Sequence, residues 1–503
     1  MQEHEEMIDG PDRPRYNTPI PKEIMTPPVV STELLGDLKF IDGCPTPDTA
    51  DTLFKHLDYI HAVQAFLVGV PAASMVAMRH GMEEVRATDG YIAIFQDLMN
   101  SNTLFLTPNT ESIYCCTWLD LKDGPIVVES PPNTLGMLND MWFRYVTDLG
   151  NAGPDDGKGG TFVFFPPTVS SVVVNEYQRE NPDHFAFRSP TFGNSLLWRA
   201  FVDSKGSPDQ SVADFKAAAR IYPLGKAHNE EKFCEVSGSN FNTIHANNAK
   251  FFEELHQVVT EEPVESMDPE TLGLFASIGI KKGDEFPLDD SMVNTYKEAA
   301  AVGNGIARSL TFASRDPASF IYRDIMGREA SQWKTAFVGG SHEFIKDGCR
   351  LLDARTLFYY YATYVTPAMV KTKPGPGSVY AYTERDIKGT ILNGNQHYSL
   401  ELPTPLPASD FWSIVVYDMQ TRSMLQTLDN RLSPSINSLK DEIVEIGGKV
   451  TIHFGPERPE SVPVGNFIQT RANKCWNTIL RLYGPEAAWF EKTWMPGEIV
   501  QQA

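Results

Sequence analysis

After Thr46-Pro47, apolar side chains recur near helical spacing at Leu53, Leu57, Ile60 and Phe66-Leu67. The threonine suits an N-cap, and proline suits the first helical position. Gly69 and Pro71 are expected to end that helix, with a second over residues 71–86. From residue 101 to about 199 the pattern shortens to β-branched and aromatic runs punctuated by Gly, Pro, Asn and Asp. It predicts strands over 113–121, 125–130, 141–147 and 161–165. Helical periodicity returns over 247–259, 290–310 and 341–364, the last stopped by Thr366-Pro367. After the linker "TKPGPGS" (372–378), strand signals resume to Leu482. Helices, strands, helices, strands is not an alternating βαβ order, so the pattern predicts a mixed α+β fold.

One internal echo suggests two related β-lobes of sandwich type. Trp142 to Asp148 and Trp412 to Asp418 share their spacing. Each pair follows a Glu-containing strand ending in prolines ("VVESPP", "LELPTP") and precedes a Gly-Gly strand ending in proline ("GGTFVFFPP", "GGKVTIHFGP"). The expected organisation is an extended arm over 1–31, helices plus a first β-lobe over 32–225, a helical middle over 226–371 and a second β-lobe over 372–503. The arm is Pro-rich and polar, suited either to clasping a neighbouring subunit in a homo-oligomer or to staying mobile.

Charge narrows the partners. Lys+Arg of 43 against Asp+Glu of 65 gives −22, which argues against nucleic acid or an anionic membrane surface. The start, "MQEHEEMIDG", is acidic and lacks an apolar run, so no secretory signal is expected, and the apolar stretch 62–78 reads as too short and interrupted to span a bilayer. The six cysteines show neither zinc spacing nor a dense disulfide framework, so a reduced, cytoplasmic chain is expected. The histidines include no HExxH, and His56 and His61 fall on different faces of a helix, so no metal is expected. With no G-x-G-x-x-G at a strand-to-helix turn, no cofactor is expected either.

Alternation over 141–148 puts Trp142, Arg144, Val146 and Asp148 on one strand face. That face offers an aromatic wall, a cation for an oxygen-rich substrate and a carboxylate base. The alternative is a half-solvated face, with Arg144 paired to an acid and Asp148 opening a turn. "TPNTESIY" (107–114) sets Asn109 and Glu111 at the entry to a strand carrying Tyr114, as pocket groups or as a local Asx turn. In "LLDARTLFYYYATYVTPAM" (351–369), Asp353, Thr356, Tyr360 and Tyr364 share one helical stripe, and Arg355 and Tyr359 another. Such phenols suit an interdomain seam or a cavity wall. Asp418 follows a strand, where a polar turn is the default. The loop "GNAGPDDGKGG" (150–160) is no phosphate cradle, because three residues rather than four separate Gly153 from Gly157 and a strand follows. It is expected to be a lid over the Trp142, Arg144 and Asp148 face, or only a long turn.

Several stretches together resemble a two-domain family, domain of unknown function 1254 followed by domain of unknown function 1214. They include "TPNTESIYCCTWLDLKDGPIVVESPP", "DMWFRYVTDLGNAGPDDGKGG", "LLWRAFVDSKG", "LDARTLFYYYATYVTPAM", "GPGSVYAYT", "FWSIVVYDMQTRSMLQT", "GNFIQT" and "TWMPGEI". The likeness runs from about residue 35 to 500. It departs at Phe467, where the family pattern has tryptophan, and at 472–475, where it has Pro-Gly-Lys-Gly. The resemblance implies two β-sandwich lobes of jelly-roll character, joined and covered by a helical region. It carries over no catalytic residue. The expected function is a metal-independent hydrolase of a small organic substrate bound near the lobe interface. Arg144, Asp148 and Arg355 would be its catalytic groups, and Asn109, Glu111, Tyr114, Trp142, Tyr360 and Asp418 its substrate contacts. A cofactor-free isomerase or cyclase, and a non-catalytic binding or assembly protein, are the alternatives.

Overall fold

The structure is a computed structural model that describes residues 18–226, 230, 232–323, 331–370, 372–375, 377–429 and 433–502. Residues 1–17 of the expected arm and residue 376 of the expected linker lie outside them. The chain divides into two compact units, Met1–Ile60 and His61–Ala503. In the first, β1 (Val29–Thr32), β2 (Gly36–Ile41) and β3 (Cys44–Pro45) form an antiparallel sheet.

Helix α1 (Pro47–Glu84) corrects the expectation of two helices, because it runs straight through Gly69 and Pro71. Proline lacks the N–H that would bond the carbonyl four residues back. That carbonyl, of Leu67, accepts instead from the Thr356 hydroxyl at 3.1 Å. Gly69 serves close packing: a Cβ there would lie 3.1 Å from Leu255. Uninterrupted, α1 is long and apolar enough to cross a membrane by length and composition, yet 67% of its apolar window is buried inside the protein.

The first lobe comprises β4 (Ile92–Ile94), β5 (Ser112–Asp120), β6 (Ile126–Ser130), β7 (Thr134–Asp140), β8 (Tyr145–Gly150), β9 (Gly160–Phe165), α2 (Ser171–Glu180), β10 (His184–Arg188), β11 (Gly193–Phe201), α3 (Asp209–Ala218), β12 (Arg220–Pro223) and β13 (Phe233–Glu235). A helical middle follows, with α4 (Lys250–Glu261), α5 (Pro269–Ser277), α6 (Asp290–Phe312), a hairpin of β14 (Ile345–Lys346) and β15 (Cys349–Arg350), and α7 (Leu352–Tyr361). The second lobe holds β16 (Ser378–Thr383), β17 (Tyr398–Pro403), β18 (Ala408–Asp418), β19 (Ser435–Asn437), β20 (Lys449–Gly455), β21 (Phe467–Gln469), β22 (Trp476–Pro485), α8 (Ala487–Phe490) and β23 (Ile499–Gln501). The fold is mixed α and β, as the order of patterns predicts.

The lobes repeat one topology strand for strand. Sheet order β5-β11-β7-β8 matches β16-β22-β18-β19, and β10-β9-β6-β12 matches β21-β20-β17-β23. Even the parallel pairs correspond, β10 on β9 and β21 on β20. The glutamate and Gly-Gly pieces of the sequence echo fall on equivalent strands, β6 with β17 and β9 with β20. The Trp–Asp piece does not: Trp412 to Asp418 lies within β18, whereas Trp142 sits in the turn between β7 and β8.

Each lobe's two sheets share a core. Ile113, Cys115, Leu196 and Trp198 face Val128, Phe162 and Phe164 in the first lobe. In the second, Val379, Ala381, Leu480 and Leu482 face Leu400, Ile452 and Phe454. Because side chains alternate along a strand, the intervening residues point the other way. Those of β5, β11, β16 and β22 build the site.

Two expected elements differ. The strand over 141–147 breaks at a turn in which Asp140 Oδ1 accepts from the backbone N–H groups of Trp142 and Arg144, both at 2.9 Å. Phe143 there has φ 59, a conformation costly for a bulky residue and incompatible with a strand. The helix over 341–364 shrinks to α7, because Asp347 (φ 52) and Gly348 (φ 78) turn the hairpin before it.

Candidate functional site

Strand β11 lies between β5 and β7 and strand β22 between β16 and β18, and each carries a single charged residue, Arg199 and Arg481. Both point away from the lobe cores and are buried, at 8% and 3% exposure. Each sits directly across from a tyrosine on the neighbouring strand: Arg199 opposite Tyr114, Arg481 opposite Tyr380. Together with the end of α7 and the chain after it they line a cavity of about 70 Å³. By the measure that gives one water roughly 10–15 Å³, that is space for about five waters or one small organic molecule.

The wall is aromatic. Tyr361, Tyr364 and Tyr382 turn their hydroxyls away from it: Tyr361 donates to Asn477 Oδ1 at 2.6 Å, Tyr382 donates to the Thr311 carbonyl at 3.0 Å, and Tyr364 shares a 2.6 Å bond with Ser195. Burial holds all three phenols well above the ordinary tyrosine pKa, so they present neutral rings. Tyr114 differs. Its oxygen accepts from the Asn109 backbone N–H at 3.2 Å, which leaves its proton to donate. Burial raises its pKa, and Arg199, the Asn109 N–H and Arg481 pull it partly back.

Burial works against the charge of both arginines. Around Arg199 the oxygens of Tyr380, Tyr114 and Tyr483 outweigh it, and around Arg481 those of Tyr417, Tyr483 and Glu111 do, so both lie above the usual arginine pKa and stay charged. Arg481 donates to the Thr107 carbonyl at 2.9 Å, pinning the segment before β5 onto the second lobe. Tyr417 reinforces this through the Pro108 carbonyl at 2.5 Å. Arg199 Nε and Arg481 Nη1 nevertheless have no hydrogen-bond partner, and neither does Thr363 Oγ1 on the same wall. Among the described lining residues there is no carboxylate, imidazole or thiol.

Of the residues singled out in the sequence, Asn109 and Tyr114 line this cavity. Asn109 Oδ1 also makes the local turn, accepting from the backbones of Glu111 and Ser112 at 3.1 Å and from the Ser112 hydroxyl at 2.9 Å. Glu111 is buried just behind, accepting from Thr110 Oγ1 at 2.5 Å and Tyr483 Oη at 3.1 Å. The others do not converge there. Arg144 pairs with buried Asp140 at 2.7 Å and closes the β7–β8 turn. Trp142 donates to Ser266 Oγ at 2.8 Å and stacks on Phe275. Asp148 accepts the Thr366 hydroxyl at 2.6 Å; burial raises its pKa to about 6, and Thr366, Tyr145 and Arg199 hold it from rising further. Arg355 lies on α7 with Nε unpartnered, its pKa lowered by burial and by Arg350. Tyr360 donates to Asn304 Oδ1 at 2.6 Å with Arg422 4.0 Å over its ring. Asp418 binds Lys474 at 2.6 Å and caps its turn by accepting from Gln420 N–H at 2.6 Å.

The expected lid is a wound turn. Buried Asp155 accepts from Gly150 N–H at 2.7 Å and Gly159 N–H at 3.2 Å. Gly150 adopts φ 77, and a Cβ there would overlap the Thr134 carbonyl, so glycine is required. Sequence reasoning missed Arg199, Arg481 and Tyr380. Their signal was a lone arginine in an otherwise uncharged buried strand, "GNSLLWRAF" and "WNTILRLYGP".

Residues 91–223 match the family described as "Protein of unknown function (DUF1254)", and residues 377–487 match "Protein of unknown function (DUF1214)". No curated protein matches the chain. Among solved structures it is similar to the VPA0106 protein from Vibrio parahaemolyticus at 17% identity and TM-score 0.51, over 89% of this chain and 100% of that one, a likeness of fold alone. An uncharacterized protein from Burkholderia cenocepacia is similar at 12% identity and TM-score 0.38, over 90% and 96% of the two chains.

Proposed function

The chain belongs to the two-domain family in which DUF1254 precedes DUF1214, and from that premise we propose that it binds a small, largely apolar organic molecule in the cavity where the two domains meet. One observation carries this reading: two buried arginines and Thr363, each with a polar side-chain atom that has no hydrogen-bond partner, line a cavity whose other walls are mainly neutral rings and aliphatic groups. Burying polar groups without partners costs about 1–3 kcal/mol each, a cost that a bound ligand removes.

A second reading, cofactor-free isomerisation or cyclisation, draws support from Tyr114. A phenol with a free proton, facing two cations, is suited to protonate or polarise a carbonyl oxygen while the arginines stabilise the developing negative charge. Hydrolysis draws less support, because the described lining offers no nucleophile with an adjacent base. A reducing compartment fits the free thiols. Self-association through the N-terminal segment draws support from the exposed Ile20, Ile24 and Met25.

The test is a thermal-shift screen of small organic molecules. A cavity ligand raises the melting temperature of the wild-type protein, and Ala362→Phe, which puts a ring into the same space, removes the shift. A ligand that stabilises both proteins equally binds elsewhere and contradicts the reading.

A further inference from the structure

Resting on that reading of the cavity, we infer that its ligand is a small carboxylic acid whose carboxylate bridges the two lobes, accepting from Arg199 Nε of the first and Arg481 Nη1 of the second. Equivalent strands of the repeated topology, β11 and β22, supply the two cations, each opposite a tyrosine. Hydrogen bonding alone would be met by water. Charge is the discriminating term.

Among the described residues neither guanidinium has an ion-pair partner; the buried acid behind Arg481, Glu111, is engaged by Thr110 and Tyr483, and the one whose charge acts on Arg199, Asp148, is engaged by Thr366. Neither acid lines the cavity, so the wall itself carries two positive charges and no negative one. An isolated charge removed from water costs several kcal/mol unless an opposite charge joins it. A carboxylate has two oxygens with about four lone-pair sites, so it accepts from two arginines at once.

The rest of the wall selects what the carboxylate is attached to. Phe105, Phe337 and Phe358 line the cavity with apolar surface, and Tyr361, Tyr364 and Tyr382 have spent their hydroxyls on the protein. An inorganic phosphate would leave that surface empty and would lack donors on its remaining sides. Thr363 Oγ1 and the Tyr114 proton remain as neutral polar contacts, suited to a hydroxyl or keto oxygen near the acid group. The volume restricts the molecule to roughly one ring or a short branched chain. The substrate class is therefore a small aromatic or branched-chain monocarboxylate.

The experiment is isothermal titration of the full chain with acids paired with their primary amides, which keep the shape and remove the charge: benzoate with benzamide, phenylacetate with phenylacetamide, 3-methylbutanoate with 3-methylbutanamide. At least one acid should bind ten times more tightly than its amide, and Arg481→Gln should abolish that preference. If that variant does not fold, Arg481→Lys, which keeps the charge but loses the planar fork, should weaken the acid about tenfold and leave the amide unchanged. Amides that bind as tightly as acids, and are lost in Ala362→Phe, overturn the carboxylate and leave the cavity reading standing. If no member of any pair binds, both fall.

Discussion

Asp148 sits on the edge strand β8 with a carboxyl that burial raises from 3.8 to about 6. The folded protein therefore keeps a proton that the unfolded chain has already lost between those values. The stability this contributes is fully present below about pH 4 and disappears as pH rises through about 6. Asp148→Asn keeps an oxygen for the Thr366 hydroxyl and has no charge to bury. It should gain on the order of 1–3 kcal/mol over wild type at pH 8, an advantage that vanishes near pH 4. Denaturant unfolding of both proteins at the two pH values checks this, and a pH-independent difference would contradict it. At this scale the sequence was only partly legible. Asn109 and Tyr114 could be placed because turn chemistry and strand entry are local. Arg199 and Arg481 could not, because a lone arginine in an apolar strand is visible while the face it takes and the partner it lacks depend on packing from the other lobe.

Among the elements, α1 and α7 are tied by a bond that no local pattern reveals. Pro71 strips the Leu67 carbonyl of its helical donor, and Thr356 supplies another from 289 residues away along the chain. Thr356→Val should cost about 1–2 kcal/mol by leaving that carbonyl bare. In a Pro71→Ala background the helix donates its own N–H, and the same substitution should cost appreciably less. Equal costs in both backgrounds would show that the hydroxyl matters for some other reason. The proline rule fails here because a tertiary contact replaces the bond that proline removes. The strand expected over 141–147 fails for a related reason. Alternation does continue through Trp142 and Arg144, but buried Asp140 gathers two backbone N–H groups and bends the chain into a turn. Asp347-Gly348 was the missed signal of the third difference, a tight turn inside what reads as helix.

Across the whole molecule, the order of helices and strands and the pairing of two related lobes are legible in the pattern, because they follow from periodicity and punctuation. The exact correspondence of eight consecutive strands, β5 to β12 with β16 to β23, is not, since it resides in pairing rather than in residue identity. That repetition explains why the cavity has two cations in matching places, each held by a rigid strand buried on both sides. On the proposal above, this cavity holds an acid between them. It is tested most directly by a crystal structure of the chain with the tightest-binding acid of the paired titrations. The molecule should lie inside the cavity, with its carboxylate oxygens within hydrogen-bond distance of both Arg199 Nε and Arg481 Nη1. The same acid bound elsewhere, with Arg199 Nε and Arg481 Nη1 still unpartnered, would contradict it.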